Sequence, residues 1–262
     1  MKRWIRKAWL LVWKEILLLT RTRKGPLLLI VTVGLGIFSQ LIERLVGATE
    51  KIPACSEVLF AGYSGFLQLF PLALAIVLAD TISGEIERGT WNFIKSKPLT
   101  RGQLLVSKVF ANYIAVTLAI ILMWGGVLLF AHVTAETSCG WKHAVFPLLL
   151  IQAVSFAIVA LEIMISAAST RTATAVLMIV IGWLGLTIVN ITTPIGQGFI
   201  APWAMNSYQT SVIVRYLGLG LSIVPFEHLA EMPSSAEALK AVLTPLVEGA
   251  VFCGIAGILI RR

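Results

Sequence analysis

Charge is what this chain has least of. Only 13% of its 262 residues are Asp, Glu, Lys or Arg, where a soluble domain carries about 25%. That scarcity excludes an ordinary water-soluble globule, which could not cover its surface with so few charges. Acidic residues are scarcer than basic ones, 13 against 21. Histidine and cysteine number three each, and no Cys/His spacing resembles a metal site. No G-x-x-x-x-G-K-[ST] occurs, so the phosphate-cradling loop of an ATPase is missing and the chain is not expected to hydrolyse ATP. An internal repeat, the mark of many secondary transporters, is absent too. Near the N-terminus the apolar residues are interleaved with Lys and Arg, which excludes a signal peptide's continuous apolar core.

Hydrophobic residues, by contrast, make up 58% of the chain, and the mean hydropathy is +0.89. This composition predicts an all-α integral membrane protein, a single domain over residues 1–262. The length suits about six helices of ~20 residues. Spans are expected at 25–42, 58–79, 104–131, 144–168, 173–191 and 241–260. Gly34 and Gly36 would allow close packing of the first, and Pro71 a kink in the second. Residues 3–22 form a basic amphipathic segment. Arg3, Lys7, Lys14 and Arg21 share one face, with Ile5, Trp9, Val12 and Ile16 opposite, the pattern of a helix in the headgroup layer. Residues 192–240 are apolar but broken by Pro194, Pro202, Pro225 and several glycines, and are expected to form re-entrant or surface helices.

With six spans, Lys and Arg divide unevenly. One side holds the eight of the N-terminus, the five of residues 80–108, Arg171, Arg261 and Arg262. The other holds Arg44, Lys51, Lys142, Arg215 and Lys240. The positive-inside rule makes the first side cytoplasmic, with both termini there and 192–240 outside. Charges gathered at span ends suit anionic lipid headgroups, so the net charge of +8 is not read as a nucleic-acid footprint.

The most charged stretch between two apolar runs is Asp80 to Lys108. Ser83 can cap a helix, and Glu85 and Glu87 suit its positive end. Ile86, Thr90, Phe93 and Ile94 share one face at helical spacing. Pro98 would stop that helix, and Thr100 with Gln103 reads as a capping box opening the next. The spacing therefore predicts a short amphipathic helix over 83–97, a turn, and a long helix entered through Lys108, which can snorkel.

This stretch resembles the signature of ATP-binding-cassette (ABC) transporter permeases of the type-2 exporter class. The matching residues are Asp80, Gly84, Glu85, Glu87, Gly89, Thr90, Pro98, Thr100, Arg101 and Lys108. Trp91 stands where leucine is usual, and Lys95 and Lys97 where apolar residues are common. The motif covers about a tenth of the chain, and the six-span layout extends the likeness over nearly all of it. The resemblance implies a non-enzymatic transport subunit in the plasma membrane. The short cytoplasmic helix, through Gly84, Glu85, Glu87, Arg88, Gly89, Thr90 and Phe93, would couple it to a separate ABC ATPase. That partner would hold the ATP and Mg, with no cofactor in this chain. The N-terminal helix would touch the same partner. A second copy or a homologue would complete a dimer, with the substrate path between the two permeases along spans one, two and five. The rival functions are a non-transporting membrane scaffold or assembly factor, and an intramembrane protease.

The protease reading rests on Gly62-Tyr63-Ser64-Gly65, the G-x-S-G of rhomboid-type enzymes. A serine nucleophile needs a base, and His132, His143 and His228 all fall in expected outside loops. Glu162 and Glu248 lie inside expected spans, where an unpaired carboxylate is costly. They are candidate path-lining or proton-linked residues, or else satisfied packing residues. Gln68, Gln152 and Asn190 are weaker candidates of the same kind. Cys55 and Cys139 fall in two outside loops and could form a disulfide, or could stay unpaired, since their separation cannot be read from sequence. Cys253 lies within a span.

Overall fold

The structure is a computed structural model that describes residues 2–46, 55–95, 99–134, 141–192, 212 and 234–260. These residues form helices and short turns, with no strand among them. In order, the helices are α1 (Lys2–Arg21), α2 (Lys24–Val46), α3 (Cys55–Leu78), α4 (Asp80–Glu87), α5 (Thr90–Lys95), α6 (Arg101–Thr134), α7 (Trp141–Ala168), α8 (Thr172–Thr192) and α9 (Ser235–Leu259). An apolar run in lipid must satisfy its own backbone, which favours helices. Pro71, Pro147 and Pro245 are accordingly housed within helices. Among the described residues, Arg101–Val133, Ala144–Ala168 and Ser235–Leu259 are long and apolar enough to cross a membrane, and Lys24–Phe38 and Thr172–Gly185 are shorter apolar helices.

Helix α7 is the centre of the packing. Leu150, Ile151, Val154, Ile158, Val159 and Ile163 along it are all buried. Helix α9 lies so close that a Cβ on Gly249 would stand 2.6 Å from the Phe156 ring. The Tyr113 ring from α6 meets Phe156 edge-on at 5.3 Å, a favoured aromatic geometry. Gly36 lies against Met123, whereas Gly34 faces open space.

The last helix starts at Ser235, not at 241. Ser234 accepts from the Glu237 backbone N–H at 3.3 Å, and the Glu237 carboxylate accepts from the Ser234 N–H at 2.9 Å. This reciprocal cap fixes the start and puts Lys240 inside the helix. Of residues 193–233 only Val212 is described, and it is buried, so the expected re-entrant helices lie outside the described residues.

The expected single helix over 83–97 is instead two, α4 and α5, parted by Arg88 and Gly89. Gly89 has φ 72°, a left-handed conformation that ends a helix and that a residue without Cβ adopts most readily. Ser83 does not cap: α4 begins three residues earlier, one residue after α3, with only Ala79 between. Thr100 and Gln103 do form their capping box, with Gln103 N–H to Thr100 Oγ1 at 3.2 Å and Thr100 N–H to Gln103 Oε1 at 3.0 Å.

Candidate functional site

Each carboxylate of α4 goes to a different helix. Asp80, its first residue, is ion-paired and hydrogen-bonded to Lys24 at the start of α2. Glu85 Oε1 accepts from Lys108 Nζ of α6 at 2.7 Å. Glu87 Oε2 accepts from the backbone N–H of Thr172 at 3.0 Å, where α8 begins with open N–H groups. An anion suits that position because it meets the positive end of the helix dipole.

Lys108 does not snorkel. Its side chain is 2% exposed, and its ammonium group also donates to the Thr81 carbonyl at 3.0 Å and lies 3.9 Å from Glu15 Oε1 on α1. A desolvated ammonium group is tolerable only with such partners. Lys108 thus stands between an acid of the first helix and an acid of α4.

Ser166 of α7 fastens the start of α4. Its Oγ accepts from the N–H groups of Ile82 and Ser83, both at 3.0 Å, and donates to the Ala79 carbonyl at 2.6 Å. Ser83 Oγ donates to the same carbonyl at 2.6 Å. The backbone groups freed where α3 gives way to α4 are therefore satisfied by two hydroxyls. Helices α2, α6, α7 and α8 all hold this eight-residue helix.

The residues singled out for coupling split into two sets. Gly84 is buried, and a Cβ there would lie 3.0 Å from Asp80 Cβ. Glu85 is turned inward to Lys108. Glu87, Arg88, Gly89 and Thr90 are exposed at the outer end, where Thr90 Oγ1 donates to the Glu85 carbonyl at 3.1 Å. Ile86 and Ile94 pack against the core, and Trp91 is buried, so Thr90 does not share their face. The Phe93 side chain lies outside the described residues. Glu87 is held below the usual carboxylate range. The Thr172 backbone N–H contributes most, followed by the Thr172 hydroxyl, with Arg171 and Arg88 nearby; slight desolvation opposes them.

Sequence reasoning missed Ser166, Lys24 and Glu15. The two charges were visible beside apolar segments, but nothing local marks their partners. Ser166 carries no signal beyond being a hydroxyl in an apolar run.

The candidate path residues are not gathered into one place by any described contact. Glu162 of α7 is 1% exposed, and neither of its oxygens has a hydrogen-bond partner among the described residues. It lies one helical turn from Ser166 on the same face. Glu248 of α9 is half-buried, also with both oxygens unpartnered among the described residues. Gln152 Oε1 accepts from Thr117 at 3.1 Å, a packing contact between α7 and α6. The side chains of Gln68 and Asn190 lie outside the described residues.

Cys55 is buried and disulfide-bonded, and Cys253 is a free thiol. The expected partner, Cys139, lies outside the described residues. Among the described residues no group of three His, Cys, Asp or Glu could hold a metal. Ser64 sits inside α3, and His132 is in helix α6, exposed near its end, instead of in a loop.

A family model described as "ABC-2 family transporter protein" matches residues 2–255, which includes every element named above except the last turn of α9. No curated protein matches the chain.

Proposed function

This chain belongs to the ABC-2 family of transporter proteins, and on that premise we propose that it is the permease subunit of an ATP-driven exporter. Family membership makes it a membrane component of an ABC transporter. The observation that carries the finer reading is the anchoring of α4. A short helix tied at Asp80, Ser83, Glu85 and Glu87 to four long helices can pass a push from outside to the whole bundle. Its outer end, Glu87 to Thr90, is exposed and would meet a separate ATPase that binds ATP and Mg.

In this reading six spans cross the plasma membrane with both termini in the cytoplasm. Two permeases, identical or homologous, enclose the substrate path, and Glu162 and Glu248 are candidates to line it. ATP-driven closure of the ATPases presses on α4, α5 and α1 and switches the path between inward and outward access. Glu85→Ala with Glu87→Ala, and separately Arg88→Ala, should leave the protein in the membrane. Both should reduce co-purification with a co-expressed ABC ATPase and lower its stimulated ATP turnover. Unchanged binding and turnover in both variants would overturn the proposal.

A further inference from the structure

On a helix advancing about 100° per residue, α1 has three faces. The first is turned to the protein, with Val12 buried and Glu15 half-buried and directed to Lys108. The second carries Trp9, Trp13 and Leu17, spaced four apart and exposed, the tryptophans by 60% and 54%, with exposed Arg6 at its N-terminal end. The third carries Lys7, Lys14 and Arg21, spaced seven apart and also exposed. Glu15 Oε1 also lies 3.7 Å from Lys14 of this face, slightly nearer than Lys108 at 3.9 Å.

We infer that the basic face of α1 binds anionic phospholipid headgroups and that this occupancy sets the stance of α4 through Glu15, Lys108 and Glu85. The exposed tryptophan face of a membrane protein belongs in lipid, and tryptophan settles at headgroup depth. That fixes the depth of the helix. The adjoining basic face then lies among the phosphates, where negative lipids attract Lys and Arg. The inner face is the link. Lys108 is shared between Glu15 at 3.9 Å and Glu85 at 2.7 Å. A displacement of α1 therefore alters the grip on Glu85. Lipid composition would regulate the transporter from the side facing the ATPase. The regulatory consequence rests on the reading of α4 as the coupling helix. Lipid binding and the Glu15–Lys108 link do not, and their own readouts need no ATPase.

The full chain is placed in nanodiscs of phosphatidylcholine alone, or with phosphatidylglycerol, at low salt. Native mass spectrometry counts retained phosphatidylglycerol, and hydrogen exchange reports on the Asp80–Glu87 amides. In the wild type, phosphatidylglycerol should be retained and should slow exchange in α4 several-fold, and raised salt should abolish both effects. Lys7→Gln/Lys14→Gln/Arg21→Gln should lose both. Glu15→Gln should keep the lipid but lose the slowing. Wild-type lipid retention by the triple variant overturns the site. Loss of ATPase co-purification with that retention intact would assign the basic face to a protein partner. Full slowing in Glu15→Gln overturns the link.

Discussion

At the scale of single residues, the group that joins α1, α4 and α6 is the Lys108 ammonium. Lys108 faces Glu85 and Glu15 from within the protein, and removing it would leave Glu85 inward-facing without a cation. Lys108→Ala should destabilise the fold by about 3–5 kcal/mol, since breaking a buried pair strands the other charge. Lys108→Met with Glu85→Gln should recover a large part of that. Unfolding in detergent measures both. Glu87 offers a pH test. Its carboxyl is held below its ordinary value of 4.5 by the Thr172 N–H, so its stabilising effect is complete above that ordinary value. The effect is lost as pH falls through the lowered one. The stability gap between wild type and Glu87→Gln should therefore be constant from neutral pH down to about 5 and close on further acidification. A gap that widened in acid would contradict the cap. The sequence made these charges conspicuous, because eight charged side chains stand between two apolar runs. It could not assign their partners, which come from helices far along the chain.

At the scale of elements, the decisive residue is Gly89. Its φ of 72° separates α4 from α5, and a Cβ there would meet open space. Gly89→Ala should thus cost about 1–2 kcal/mol from backbone strain alone, without a clash. Hydrogen exchange should show α5 fraying before α4. Equal protection of both helices would mean that the break is not strained by a side chain. Legibility here followed locality. The Thr100/Gln103 box was readable because cap and helix are adjacent. The Ser234/Glu237 box is as readable by the same rule, since cap and helix are adjacent there too. The break at Gly89 was hidden because glycine there also belongs to the family signature. The early start of α4 was hidden because it depends on Ser166, more than eighty residues away.

At the scale of the molecule, the all-helical character of the described residues and the match to the ABC-2 family agree with the sequence reading. The lateral arrangement does not follow from sequence, since periodicity gives a helix its faces but not its neighbours. One whole-molecule prediction concerns the start of α3. Cys55 is disulfide-bonded, and Cys139 is the expected partner. Mass spectrometry of unreduced, alkylated protein should recover a linked peptide containing both. Reduction should lower stability by about 2–4 kcal/mol. Alkylation of both thiols in fresh protein would rule the bridge out.

The bonds of α4 also set an order of assembly. Asp80 reaches back 56 residues to Lys24, and Glu85 reaches forward 23 to Lys108. Ser83 and Glu87 wait for partners 83 and 85 residues ahead. A nascent chain that has released α6 can form both lysine pairs, while the Ile82 and Ser83 amides still lack their acceptor. Closing such distant contacts is slow, and partly made membrane chains carry their open groups meanwhile. The lock is complete once Thr172 has emerged, and none of these bonds involves α9. The contacts that seat α4 can therefore be complete during synthesis, before α9 exists.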